Sequence, residues 1–278
     1  MAVNLAVKFM PFVDEKFSQD SKKSLVTNND FDWSSANTVK IYKITTAEMT
    51  DYDRNGTGAS PSRYGTVSGL DAATEELSIA NDRSFTFAID KLDSDETVYQ
   101  LQAASALERQ IREVVIPEID NYVYDTMAEN AGTKPAAAEL TAENIYGEIL
   151  KASEALDNAN APETERVLIV SPETYALMKK SPEIIIDSEI GADMRAKGVI
   201  GMLDGASVVK VPANRLPENF GFMLAHPSAT VAPTKLEDYK IHEDPPGISG
   251  SLVEGRISYD AFVLDNKAKA IYYQEVSD

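Results

Sequence analysis

Residues 93–132 read DSDETVYQLQAASALERQIREVVIPEIDNYVYDTMAENAG, and this stretch decides the fold. Val98, Leu101, Leu107, Ile111, Val114, Val115, Ile119, Tyr122, Val123 and Met127 recur mostly at steps of three or four. That is the period of one apolar face of an α-helix. Asp93, Ser94, Asp95 and Glu96 supply an N-cap and a negative first turn, where unpaired N–H groups and the helix dipole favour them. Gly132, followed by Lys134 and Pro135, is a stop signal. The spacing predicts one amphipathic helix over residues 94–132, about 37 residues and roughly 55 Å long at 1.5 Å per residue. A compact domain of this size does not need so long a helix, so an elongated subunit with other parts laid along it is expected. Pro117 falls inside the helix, and a clash of its ring with the Glu113 carbonyl is expected to bend the rod.

On the N-terminal side, SFTFAID at 84–90 places Phe85, Phe87 and Ile89 on one face and reads as a strand. TVKIYKI at 38–44 reads as another. Between them lies a long stretch rich in Asp, Gly, Ser and Thr, with a turn cluster at Asp53-Arg54-Asn55-Gly56 and a second such run at 58–69. A connection of that length is usually functional or disordered. Weak strand character at 43–46 and 76–79 predicts a long two-stranded ribbon, which is marginal alone and needs an outside surface to hold it. Residues 1–35 carry only short apolar islands (Val3, Leu5, Val7 and Phe9, then Phe12, Val13 and Phe17), followed by Phe31 and the single tryptophan, Trp33. They are too short for a core and read as an arm that packs on another surface rather than as a frayed terminus.

On the C-terminal side, residues 135–140 form a linker. Thr141 and Asn144 make a weak form of the capping box, opening a helix that runs to Asp157. RVLIV at 166–170 is a buried strand, and Ser171 caps a helix with Pro172 at its first position. Residues 191–203 are punctuated by glycine and read as loop, whereas ASVVKV at 206–211 and FGFMLA at 220–225 read as strands. The alternation over 141–226 predicts a compact α/β unit. The end is all β, with strands at 236–242, 252–264 and 269–273 and Asp265-Asn266-Lys267 as a hairpin turn.

The 278 residues suffice for one large domain or two modest ones with real cores. A hydrophobic content of 43% places the chain among globular proteins rather than disordered ones. There are 26 basic and 45 acidic residues, and the resulting net charge of −19 excludes nucleic-acid binding over the whole surface, though not at a local basic patch. The absence of cysteine excludes disulfides, thiolate metal sites and cysteine nucleophiles. The opening MAVNLAVKFMPFVDEKF has no basic stretch ahead of an apolar run and does not read as a signal peptide. No stretch approaches the ~18 apolar residues of a membrane span, and no membrane partner is expected.

Candidate chemistry is sparse. Asp51-x-Asp53-x-Asn55-Gly56 matches the opening of a calcium loop, in which alternating oxygens surround a glycine turn. Ser62 stands at the twelfth position in place of the bidentate Glu, so a polar turn of the ribbon is the preferred reading. Ser249 in GISGS approximates a nucleophile elbow, but Ser251 replaces the last glycine and Pro245-Pro246 replaces the preceding strand. His226 and His242 flank different strands and share no ligand spacing. Residues 201–205 contain neither G-x-G-x-x-G nor a P-loop lysine. No catalytic constellation emerges, so neither an enzyme nor a cofactor is expected. An α/β hydrolase built on 141–226 lacks its elbow, and tail or tube proteins rarely carry so long a central helix.

The order of several motifs resembles the major capsid proteins of tailed bacteriophages. Asp51-Tyr-Asp-Arg-Asn55, Gly65 and Gly69 are similar to that family's extended loop. Asp82-Arg-Ser-Phe85, Ile89-Asp90-Lys91-Leu92-Asp93 and Glu96-Thr97 resemble the approach to its spine helix. Arg109-Gln110, Arg112-Glu113, Pro117-Glu118, Asp120 and Tyr122 resemble the spine itself. Gly201-Met-Leu-Asp-Gly205, Val208 to Val211 and Leu216-Pro217 resemble its axial domain, and Tyr259-Asp260, Lys267 and Ile271-Tyr272 its last peripheral strands.

The resemblance implies an α+β chain with the Hong Kong 97-like capsid fold. Its parts would be an N-terminal arm (1–37), an extended β-ribbon loop with its base strands (38–92), a spine helix of the peripheral domain (93–140), an α/β axial domain (141–228) and peripheral β-strands (229–278). It implies a structural subunit whose hexamers and pentamers tile an icosahedral shell around phage double-stranded DNA, without sequence-specific binding. The alternative is an encapsulin-type nanocompartment shell. Assembly in the host cytoplasm and residence in the virion capsid follow. The arm and ribbon would supply intersubunit contacts through Phe9, Phe12, Trp33, Asp51, Asp53, Arg54, Arg63 and Arg83, with Glu113 on the spine. Some members crosslink a loop lysine to a neighbour, but residues 54–66 contain no lysine, so shells without that crosslink are expected. No long helical pro-segment precedes the arm, which implies a separate scaffolding protein; a portal is the other expected partner.

Overall fold

β-Branched and aromatic side chains dominate Thr38–Ile44, which forms strand β1. It pairs antiparallel with β2, Ala72–Ser78, in a register unbroken from Thr38 opposite Ser78 to Ile44 opposite Ala72. Lys40 faces Glu76 across the ladder as an ion pair, and Lys43 reaches Glu75 at 3.0 Å. The ribbon expected from weak strand signals is thus present. The computed structural model describes residues 20–28, 38–44, 46–56, 62–65, 69, 72–92, 103–184 and 199–277. These fall into two units, one within Trp33–Ile79 and the other comprising the remaining described chain.

In the larger unit, β3 is Asn81–Asp90. The long helix follows as α1, Ala103–Gln110, a π-helical turn, Ile111–Val115, and α2, Ile116–Glu129. The cap expected at 93–96 lies outside the described residues. Pro117 stands at the start of α2, directly after the π turn, where the Ile116 N–H reaches back five residues to the Ile111 carbonyl. A π turn is wider than an α turn, so the helix meets the proline ring by widening just ahead of it. Backbone angles stay helical at Gln110, Val115 and Ile116. Gly132 acts by close approach: a Cβ there would lie 2.5 Å from the Ala268 carbonyl carbon, and its N–H donates to the Ala268 oxygen at 2.9 Å.

Next come α3, Ile145–Asn158, β4, Val167–Val170, and α4, Pro172–Lys180. The capping pair forms as expected, since the Thr141 N–H donates to Asn144 Oδ1 at 2.7 Å and the Asn144 N–H to Thr141 Oγ1 at 3.3 Å. Ser171 Oγ accepts the Thr174 N–H at 3.1 Å and caps α4. β5, Val199–Leu203, corrects the loop expected at 191–203 where that span is described. A register shift between Val199 and Gly201 absorbs the glycine, and Asp204-Gly205, both at positive φ, turns the chain into β6, Ala206–Lys210.

The remaining strands are β7, Phe220–Ala225, β8, Thr230–Val231, β9, Thr234–Glu243, β10, Gly250–Tyr259, β11, Phe262–Val263, and β12, Ile271–Glu275. Two expectations fail here for one physical reason. The single strand expected at 252–264 breaks at Asp260, whose carboxylate accepts the Ala261 N–H at 2.8 Å and so turns the backbone. Beyond it the chain leaves one sheet for another, so 265–267 is no hairpin turn but part of a 3-10 helix, Asp265–Ala270.

β12 then joins a five-stranded sheet of order β12-β7-β4-β6-β5, in which only β4 and β6 run parallel. The last strand therefore belongs to the α/β sheet, not with the other C-terminal strands as the sequence reading had it. β3, β10 and β9 form a separate three-stranded sheet, and β8 pairs with β11. Residues 133–138 cover the outer edge of β12, through bridges Thr133–Tyr272 and Ala138–Val276.

The five-stranded sheet divides the core by its pleat. Val167, Ile169, Val209, Met223, Ile271 and Tyr273 face α2, meeting Ile119, Val123, Tyr124 and Met127. Leu168, Val170, Val208, Phe222, Leu224 and Tyr272 face the other way, against Ile145, Ile149 and Leu156 of α3 and Met178 of α4. β4 is buried on both faces, which explains its unbroken apolar run. Ile257 and Tyr259 of β10 complete the cluster under the long helix. Among the described residues, neither cluster includes one from Trp33–Ile79.

Candidate functional site

The ribbon gathers four of the expected contact residues. Asp53 Oδ1 accepts the N–H groups of Asn55 and Gly56 at 3.1 and 2.8 Å, so this oxygen is committed to its own turn. The Asp53 N–H donates to the Arg63 carbonyl at 2.9 Å, which brings the two residues together. Arg54 and Asp51 stand exposed nearby in the chain. Met49 is fully exposed, as are four-fifths of Tyr64 and half of Tyr52, and the two tyrosine rings meet edge to face at 5.0 Å. These three side chains are not among the contact residues expected from sequence, which are the charged ones. Their signal was plain, since large apolar residues stood in a segment with no core to join.

Other expected contact residues lie in the larger unit or outside the described residues. Arg83 Nε donates to Glu118 Oε1 at 2.8 Å, and the Tyr259 hydroxyl donates to the same oxygen at 3.2 Å. Glu113 sits half-buried in the π turn. Phe9, Phe12 and Trp33 lie outside the described residues.

Two buried acids tie the larger unit together. Asp120, on the apolar stripe of α2, accepts from Arg215 Nη1 at 2.9 Å and from the Ser21 hydroxyl. Both side chains of the ion pair are almost wholly buried. Burial pushes the Asp120 carboxyl above its ordinary value, against the opposing pull of Ser21 and Arg215. Val26 is 1% exposed within the core, and the Asn28 N–H donates to the Thr230 carbonyl at 2.7 Å, so 20–28 packs on its own chain. Asp260 accepts from the Tyr122 hydroxyl at 2.7 Å and from the Ala80 N–H at 2.8 Å, joining helix, strand break and the start of β3.

Burial raises Tyr124, and pushes Tyr259 and Tyr273 up to about 12. An unfolded tyrosine titrates near pH 10. These folded values lie above it, so their stabilising contribution is complete below about pH 10 and is lost as pH rises towards 12. Absorbance titration of the folded subunit should therefore leave these three of the 12 tyrosines un-ionised near pH 10, with their ionisation coinciding with unfolding. Ionisation of all 12 in one step near pH 10 without loss of ellipticity would contradict this packing.

The other motifs have structural roles. His226 Nδ1 accepts the Ser228 N–H at 3.2 Å at the start of a 3-10 turn, and His242 pairs with Glu254 at 3.2 Å. Ser249 lies in the turn between β9 and β10, where its carbonyl accepts the Lys91 N–H. Among the described residues, no group of three or more His, Cys, Asp or Glu side chains is disposed to hold a metal.

A profile describing phage capsid proteins matches residues 79–273, well over half of the chain. The chain belongs to the phage capsid protein family. Solved structures share the fold of this capsid protein. One from Mycobacterium phage Che8 superposes with a TM-score of 0.75 at 20% identity, over 98% of this chain and 97% of that one. The capsid structure of cyanophage P-SCSP1u gives 0.72 at 16% identity, over 99% and 94%. The mature capsid of bacteriophage PhiM1 gives 0.69 at 13%, over 99% and 93%. Among curated proteins none matches. The capsid protein thus has the expected mixed α and β fold and is a structural subunit of a virion shell formed by self-association. The family match favours a phage shell over an encapsulin-type compartment.

Proposed function

We propose that this subunit forms hexamers and pentamers that tile an icosahedral shell around phage double-stranded DNA. In this reading the arm (1–37), apart from the 20–28 stretch that packs on its own chain, and the β1–β2 ribbon of 38–92 reach over neighbouring copies. The spine (93–140), β3 and the peripheral strands (229–278) form the shell wall, and the axial domain (141–228) meets its copies at the capsomer centre. β12 lends the axial domain a strand. A separate scaffolding protein and a portal are the partners of assembly, which takes place in the host cytoplasm. The shell holds DNA without reading its sequence and catalyses no reaction.

The observation that carries this reading is the ribbon. Among the described residues, Trp33–Ile79 adds nothing to either hydrophobic cluster, yet it exposes Met49, Tyr52 and Tyr64 beside Asp51, Arg54 and Arg63. Apolar side chains so exposed need a covering surface, and the surrounding charges suit a partner that is recognised electrostatically. Each contact is weak alone and becomes strong once repeated around a lattice. Arg54→Glu should therefore lower shell yield by about tenfold or more, because one reversed charge recurs at every copy. The melting temperature of the unassembled subunit should not change. Normal shells from this variant would count against a contact at Arg54.

Shells of this subunit should also come apart to monomers in SDS, because residues 54–66 contain no lysine to form an amide with a neighbour. A ladder of SDS-resistant oligomers on a gel would overturn that expectation. DNA recovered from purified particles is the expected cargo; protein cargo in its place would return the encapsulin reading.

A further inference from the structure

Lysines from two segments flank one tyrosine, and a third lysine reaches the backbone of one of them. Tyr175 lies in the first turn of α4, and the Lys179 ammonium sits 5.6 Å from its ring centroid. The Lys210 ammonium, from the end of β6, sits 5.4 Å from the same ring. Lys22 donates to the Lys210 carbonyl at 2.7 Å. Among the described residues these ammoniums meet a ring face and a carbonyl. Burial, then the nearby charges of Lys210 and Arg215, depresses the Lys22 ammonium below its ordinary value. In a chain of net charge −19 these three ammoniums form a local cluster of positive charge, with Glu173 of α4 the exposed carboxylate nearest to Tyr175 along the helix.

The same sheet carries the opposite charge at its other end. β4 and β6 run parallel, so Val170 and Lys210 finish together while Val167 and Ser207 begin together. Beside that beginning lie Asp157, Glu163, Glu165 and Asp204, all exposed. Arg166 answers Asp157 at 2.7 Å, while Glu163 and Glu165 in the preceding loop and Asp204 in the β5–β6 turn project charge outward. The strands hold the two ends about 10–13 Å apart at 3.3 Å per residue. The axial sheet therefore carries a basic pole of three ammoniums at one end and, at the other, an acidic pole whose four carboxylates outnumber Arg166 and Lys267.

We propose that the Lys22, Lys179 and Lys210 patch is a docking surface for a second copy of this chain, whose Glu163, Glu165 and Asp204 it receives. The inference rests on the reading of the chain as a shell subunit. A closed ring of identical subunits is heterologous, so each copy presents one patch forward and a different one backward. Opposite charges on the two poles let such a contact form in one sense only, and like poles repel. Tyr175 fixes two of the ammoniums in place before the neighbour arrives, which spares the contact part of their ordering cost.

A charge exchange tests this. Lys179→Glu with Lys210→Glu, and separately Glu163→Lys with Glu165→Lys, should each cut particle yield by about tenfold or more, since like charges then face each other. All four changes together should restore it to within about twofold of wild type. Circular dichroism checks that each variant is folded. Lys179→Gln with Lys210→Gln adds no repulsion and should flatten the salt dependence of assembly, because exposed pairs are screened by salt. Wild-type yield from either double reversal, a loss the exchange does not repair, or an unaltered salt dependence would overturn the contact. Shells of normal yield that have lost DNA would also overturn it, assigning the patch to a phosphate backbone. If the wild-type chain forms no particles even with its scaffolding protein present, the shell reading fails and takes this contact with it; wild-type shells with indifferent variants sink only the contact.

Discussion

Asp120→Ala should lower the unfolding free energy of the subunit by about 3–5 kcal/mol, the range for breaking a buried ion pair by removing one partner. The alanine itself is well suited to a helix; the cost arises from Arg215, which would stay buried without its carboxylate. Ser21 would lose its acceptor as well, so the loss should extend to residues 20–28. Chemical denaturation measures the first effect, and proteolysis near the N-terminus of the variant measures the second. Asp120→Asn keeps an acceptor for Ser21 and should release that segment less. A loss below about 1 kcal/mol for Asp120→Ala, the scale of an exposed pair, would mean that the node does not join helix, arm and axial loop as described.

Deleting residues 39–77 should abolish shell formation and leave the rest of the chain folded. The deletion joins Thr38 to Ser78, which already face each other across the ladder with their hydroxyls 2.8 Å apart, so the closure is short. Among the described residues, both hydrophobic clusters draw on positions outside 39–77, so the melting temperature should move by no more than a few degrees, the shift expected for about 1 kcal/mol. Sedimentation of the variant should find subunits or small oligomers only. Shells from the deleted chain would remove the ribbon from the account of assembly. A collapse of the melting transition would instead make the ribbon part of the core.

Much of this fold was legible because local chemistry agreed with tertiary structure. The 3.6-residue stripe named the faces that α2 buries, and Thr141, Asn144 and Ser171 stood at their capping positions. What escaped was set by partners distant in the chain. β12 reads the same whichever sheet it joins, and its pairing with β7 depends on the 3-10 turn that precedes it. The break at Asp260 needs Tyr122 and Ala80, which lie 138 and 180 residues away. Val199–Leu203 looked like loop because Gly201 lacks a side chain and apolar residues stand on both faces, so the sequence shows no polar–apolar alternation although the burial alternates.

Of the site, the charges of the ribbon were readable, but the exposed Met49, Tyr52 and Tyr64 carry the stronger argument for a covering partner. Asp120 could have been found from sequence, since it stands between Ile119 and Val123 on the apolar stripe and a carboxylate there requires a buried cation. Which cation it was could not be read, because Arg215 arrives from the axial region, 95 residues along the chain. The basic pole was equally hidden, as Lys22, Lys179 and Lys210 become neighbours only in the folded chain.

Self-association into a closed shell is the central claim, and electron microscopy of the expressed chain tests it most directly. Negative-stain images over a range of subunit concentrations should contain closed or partly closed curved shells built of ring-shaped capsomers. Dispersed monomers at every concentration even when the scaffolding protein is co-expressed, or straight tubes without curvature in two directions, would contradict it.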